Sequence, residues 1–79
     1  MTQAERIQQK QDYLDYLAKF LAVTTGDRVT LTIDESEYVY ARVNEHNFEY
    51  SVWGDNKNGM FRDTLRALIR EGYMGALYE

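Results

Sequence analysis

The sequence predicts an α+β domain of order αβββα, a three-stranded antiparallel meander with two helices packed on one face. Three observations lead there. Apolar residues recur at helical spacing over the first 24 positions, three short runs rich in β-branched and aromatic residues follow, and a second helically spaced stretch ends at Gly72. With 79 residues, no proline and no internal repeat, the chain reads as a single small domain, residues 1–79, without a linker. Folding at this length hides only about 60 to 65% of the unfolded surface, so there is material for one core.

The first helix is placed at residues 2–24. Thr2 with Glu5 three positions later is a capping-box pattern, and Ile7, Leu14, Leu17, Phe20 and Leu21 share a helical face as far as Thr24-Thr25-Gly26-Asp27. Its first half, with Gln8, Gln9, Lys10 and Gln11, is polar nearly all round, so those turns are expected to project or fray unless a partner covers them.

Strands are placed at 29–33, 38–43 and 48–53. Their connections fall far short of the dozen or so residues that a parallel crossover needs, so only hairpins fit. A three-residue loop at Glu35 to Glu37 puts Val29, Leu31 and Ile33 on the same face as Val39, Ala41 and Val43. A two-residue loop at Glu45-His46 adds Phe48, Tyr50 and Val52 to it. The opposite face then carries Thr30, Thr32, Tyr38, Tyr40, Arg42, Glu49, Ser51 and Trp53. A two-residue first loop would instead turn Tyr38 and Tyr40 toward the core, because a slip of one residue exchanges the faces.

After a turn-rich bridge at 54–59, the second helix is placed at 60–71. Phe61, Leu65, Leu68 and Ile69 form its apolar face, and Gly72 is set to end it. The tail, 73–79, is apolar for a terminus and is expected to fold back onto the core or to meet another chain.

Composition narrows the chemistry. The absence of cysteine excludes a disulfide scaffold, a zinc–thiolate site and a thiol nucleophile, and makes a reducing cytoplasm the expected location. A single histidine, His46, leaves little for imidazole-based catalysis or metal binding. The residues from Asp55 to Gly59 invite a calcium-loop reading, but Lys57, Met60 and Arg66 stand where an oxygen ligand, a glycine and a carboxylate are needed. No catalytic, metal or cofactor site is therefore expected. His46, beside Glu45 in a hairpin tip, is either a pH-sensitive contact or a solvated polar residue. No apolar run is long enough for a membrane span, and the first residues do not resemble a signal peptide.

Charge is segregated. The net charge is −4, yet residues 27–55 hold seven acids against two bases, while Lys57, Arg62, Arg66 and Arg70 make the second helix locally basic. Phosphate backbones and anionic lipid repel such a chain on average, which makes a basic protein surface the easier partner and leaves no role for a membrane. Arg62, Arg66 and Arg70, four residues apart, line one ridge. They are either ion-paired with neighbouring acids or, with Lys57, an anion-binding strip at a helix start. The rings of Tyr38, Tyr40 and Trp53, with Arg42 among them, admit three covers: the second helix, a protein partner or unstacked bases.

The αβββα order with a basic strip opening the second helix resembles the topology of double-stranded-RNA-binding domains. That resemblance implies lysines gripping phosphate at the start of the second helix, where this chain has Lys57, Gly59, Met60 and Arg62 flanked by Asp55 and Asp63, so the motif is not met. In size, acidity and lack of catalytic residues the chain is also similar to small phage or mobile-element inhibitors, anti-CRISPR proteins among them.

The expected function is that of a non-enzymatic protein-binding module, an inhibitor or adaptor that engages a basic surface of a larger protein such as a nucleic-acid-handling effector. Asp34, Glu35, Glu37, Glu45 and Glu49 would steer the encounter, and Tyr38, Tyr40, Arg42 and Trp53 would form the contact. The alternatives are a nucleic-acid-binding module using Lys57, Arg62, Arg66 and Arg70, and a self-associating structural protein that dimerises through its tail and polar first helix.

Overall fold

The computed structural model describes residues 2–54 and 56–73. It contains α1 (Gln3–Thr25), β1 (Val29–Ile33), β2 (Tyr38–Val43), β3 (His46–Ser51) and α2 (Lys57–Arg70), with the strands in the antiparallel order β1-β2-β3 and both helices on one face of the sheet. Helix α1 starts on a reciprocal pair of bonds: the Glu5 N–H donates to Thr2 Oγ1 (3.1 Å) and the Thr2 hydroxyl donates to the Glu5 carboxylate (3.0 Å). It ends at Gly26, whose φ of 80° only glycine adopts cheaply. Helix α2 ends at Arg70, one residue before the expected boundary, and the chain leaves it through Gly72 at φ 89°, where the Gly72 and Tyr73 N–H groups turn back to the carbonyls of Ile69 and Leu68.

The first hairpin has the expected register, with Ile33 opposite Val39, Leu31 opposite Ala41 and Val29 opposite Val43. Its three-residue loop closes with the Glu37 N–H donating to the Asp34 carbonyl (3.0 Å), followed by Glu37 itself in the left-handed region at φ 63°. The second loop differs from expectation. It is Asn44-Glu45, not Glu45-His46, and Val43 pairs with His46. Asn44 takes φ 56°, which asparagine tolerates, and its side chain is fixed by Asp27 and by the Arg28 N–H. Each β2 residue thus meets a partner two positions earlier than expected, and an even shift leaves the faces unchanged.

Strand β3 stops at Ser51, short of the expected 53, because Tyr38 is the last β2 residue able to pair with it. Helix α2 starts at Lys57, three residues before the expected boundary, because Asn56 caps it by accepting the Gly59 N–H on Oδ1 (2.7 Å). The core joins Leu14, Leu17 and Leu21 of α1 to Leu31, Val39, Ala41, Val43 and Tyr50 of the sheet and to Met60, Ala67 and Leu68 of α2. Two residues placed in the core on spacing alone lie largely outside it: Phe20 is 45% and Ile69 42% exposed. The inward face of α2 is rotated toward Met60, Thr64 and Ala67, and Thr64 accepts the buried Tyr50 hydroxyl (2.9 Å). Burial holds that phenol well above its ordinary titration range. Of the tail, Tyr73 stacks on Phe48, and the remainder lies outside the described residues.

The polar half of α1 does not project. Lys10 is 3% exposed, with its ammonium 2.8 Å from Glu37 Oε1, and Arg6 reaches the same carboxylate at 3.2 Å. Gln11 uses both ends of its amide on the outer edge of β1, donating to the Leu31 carbonyl (2.9 Å) and accepting the Ile33 N–H (2.9 Å). A side chain thereby stands in for a neighbouring strand and blunts an edge that would otherwise template pairing. Gln11→Leu leaves both groups unpaired in a half-buried seam, and the urea midpoint should drop by the equivalent of about 1–2 kcal/mol. An unchanged midpoint would show that water replaces the amide at no cost.

Candidate functional site

The uncovered face of the sheet is a grid fixed by the register. Thr30, Arg42 and Asn47 form one row across the three strands, and Thr32, Tyr40 and Glu49 form the next. Tyr38 and Ser51 form a third row across β2 and β3. Tyr38 is 41% and Tyr40 48% exposed, so neither ring lies beneath a helix. Tyr40 and Arg42 border a shallow depression of about 520 Å³ together with Thr30, Thr32, Asn47 and Glu49. Arg42 is oriented by its Nε donating to the Asn44 carbonyl (3.3 Å).

Asp34 organises the tip of the first hairpin. Its Oδ1 accepts the N–H groups of Ser36 and Tyr38 (2.9 Å each), and its Oδ2 accepts the Tyr40 hydroxyl (3.1 Å). The same residue that was expected to steer a partner therefore also positions both tyrosines.

Trp53 is presented differently, just beyond the end of β3. Its backbone N–H and that of Gly54 both donate to Asp63 Oδ2 (2.8 Å each), and Asp63 is itself buried on α2. Gly54 lies so close to α2 that a Cβ there would fall 2.5 Å from Gly59 backbone atoms, which only glycine avoids. The backbone N–H is held while the residue as a whole is 85% exposed. Tyr38 and Trp53 line one cleft of about 320 Å³, with Ser51 and the Arg6 and Glu37 side chains as neighbours.

The acids divide into two groups. Asp34 and Glu37 are engaged within the hairpin and with α1, whereas Glu35, Glu45 and Glu49 are exposed. The basic residues divide as well. Lys57 sits 4.0 Å above the Tyr16 ring on α1, and Arg62 lies 3.7 Å from Asp63. Arg66 and Arg70 are exposed and have no ion-pair partner among the described residues. His46 is the first residue of β3, with Nε2 3.5 Å from Glu71 and its ring near Phe48 and Tyr73.

One surface escaped the sequence reasoning. Tyr16, Phe20, Val23 and Ile69 are exposed on the helical layer, with Phe20 tilted against Phe61 at 5.9 Å. The signal was the spacing of Tyr13, Tyr16, Phe20 and Val23, which widens the apolar arc of α1 beyond what one neighbour can cover.

Among the described residues, no cluster of three or more His, Asp or Glu is arranged to hold a metal ion, and no helix is long and apolar enough to cross a membrane. No family model, curated protein or solved structure matches the chain.

The Asp34–Tyr40 pair makes a titration prediction. The Tyr38 N–H is the main cause holding the Asp34 carboxyl below its ordinary 3.8, with the Tyr40 hydroxyl and Ser36 N–H assisting. The Tyr40 phenol is raised above 10.0, because ionising it breaks its bond to Asp34 and sets a second negative charge beside the carboxylate. A lowered folded-state carboxyl stabilises the fold fully above the ordinary value and loses that contribution as pH falls through the lower one. The hairpin tip should therefore loosen only below about pH 3.8, seen as shifts of the Tyr38 and Tyr40 ring resonances. Asp34→Asn should bring the Tyr40 titration back toward 10.0, and an unmoved Tyr40 would exclude the bond.

Proposed function

We propose that this chain is a non-enzymatic protein-binding module, an inhibitor or adaptor that presents Trp53, Tyr38, Tyr40 and Arg42 to a basic surface of a larger protein. The observation that carries this reading is Trp53: its backbone is pinned by a buried carboxylate, yet the residue is 85% exposed. A large aromatic side chain rarely stands so far into water, and rigidly held aromatic residues are the usual anchors of protein interfaces. The exposed Glu35, Glu45 and Glu49, with Asp34, give the sheet side of the molecule a negative field suited to steering a basic partner. A nucleic-acid-handling effector is the kind of protein that offers such a surface, and covering its groove would inhibit it without any chemistry.

A second reading, nucleic-acid binding through α2, draws support from exposed Arg66 and Arg70. It is weakened by Lys57 lying over Tyr16 and Arg62 beside Asp63. It calls for affinity that falls steeply with salt.

Tyr38→Ala with Trp53→Ala should weaken capture of the partner by about thirtyfold or more, the scale of one interface hot spot, while leaving the far-ultraviolet dichroism unchanged. Capture by immobilised chain from nuclease-treated extract, quantified by mass spectrometry, checks this. The proteins lost with the double variant should be basic. Identical captures would reject the surface, and capture abolished by nuclease would favour the second reading.

A further inference from the structure

The two edges of the sheet are finished differently. In the β1–β2 ladder the Asp34 N–H donates to the Tyr38 carbonyl (3.0 Å) and the Asn44 N–H to the Arg28 carbonyl (2.8 Å), so Tyr38, Tyr40 and Arg42 direct their backbone groups toward β1. Alternation then directs those of Val39, Ala41 and Val43 toward β3, where they meet Tyr50, Phe48 and His46. Asn47, Glu49 and Ser51 must therefore turn their N–H and C=O groups outward. The same alternation turns Leu31 and Ile33 outward on β1, where Gln11 receives them. Nothing among the described residues does the same for Asn47, Glu49 and Ser51. Strand β3 has no proline, no lysine and an unbroken register, and Glu49 is the one charge that guards its edge.

We propose that the β3 edge receives an extended segment of the protein partner as a fourth strand, with lysine or arginine at the position beside Glu49. The proposal rests on the protein-binding reading and deepens it. An added strand would lengthen the rows through Tyr40 and Arg42, so edge and face form one continuous surface. Charge selects the occupant. The two-fold register that uses all three outward residues would set two copies of Glu49 directly opposite each other, on chains that each carry −4. A second copy is disfavoured on that ground, and a basic strand answers the exposed glutamate.

A capped peptide of alternating lysine and valine is the probe, and amide hydrogen exchange by NMR is the readout. Binding should slow exchange at Asn47, Glu49 and Ser51, leave the already bonded Phe48 and Tyr50 unchanged, and be absent with a glutamate–valine peptide. Glu49→Pro removes an outward donor without touching the ladder to β2 and should abolish the protection. If that variant does not fold, Glu49→Lys keeps the backbone, reverses the charge and should weaken binding about tenfold or more. Protection elsewhere, or binding undiminished by either substitution, overturns the edge assignment. The same three amides protected without peptide, in a concentration-dependent dimer, would overturn the choice of occupant. Partner capture separates this from the parent reading. Capture that survives Glu49→Pro but not the Tyr38 and Trp53 double variant removes the edge and keeps the face, and the converse pattern removes the face and keeps the edge.

Discussion

The structure depends on the three-residue loop that ends at Glu37. That residue holds a left-handed backbone that glycine would adopt more cheaply, and its carboxylate is gripped by a nearly buried Lys10 and by Arg6. A buried ammonium without its carboxylate would be strongly unfavourable, so the pair ties the loop length to the seating of α1. Loop length in turn sets the parity of the hairpin. With three residues Val39 points inward and Tyr38 and Tyr40 point out, and one residue fewer would exchange them.

From that parity follows a two-layer molecule whose interior is a main cluster and a smaller one around Leu21, Val43 and Leu68, with Val29 and Phe48 packed against both. Both helices bury one side of the sheet, and the other side keeps a polar and aromatic grid in water. The second anchoring point is Asp63, which takes two backbone N–H groups from the chain leaving β3 and so fixes where the tryptophan stands. A carboxylate accepting two such bonds is well satisfied despite its burial, which explains how α2 accommodates a charge on its inward side.

Charge follows this division only in part. Glu35, Glu45 and Glu49 are exposed on the hairpins and β3, Arg66 and Arg70 are exposed on α2, and Arg42 is exposed within the uncovered face itself. The polar first half of α1 illustrates how a composition suited to solvent can serve the interior of a small fold. Lys10 and Gln11 complete a loop and a strand edge that the short sheet could not finish with its own backbone.

The sequence by itself determined the element order, the helix cap at Thr2, the left-handed turn at Gly72, and the face on which each strand residue lies. These are local matters of period and turn chemistry, and even the misplaced second loop left them intact because its shift was even. Only the tertiary structure decided that Phe20 and Ile69 remain half in water, that Gln11 completes β1, and that Asp63 holds Trp53 out toward solvent. Each of these joins groups ten or more residues apart, or depends on how far a neighbour's surface extends. A periodic pattern reports where a side chain points from its own element, and the packing of the other elements decides what it meets there.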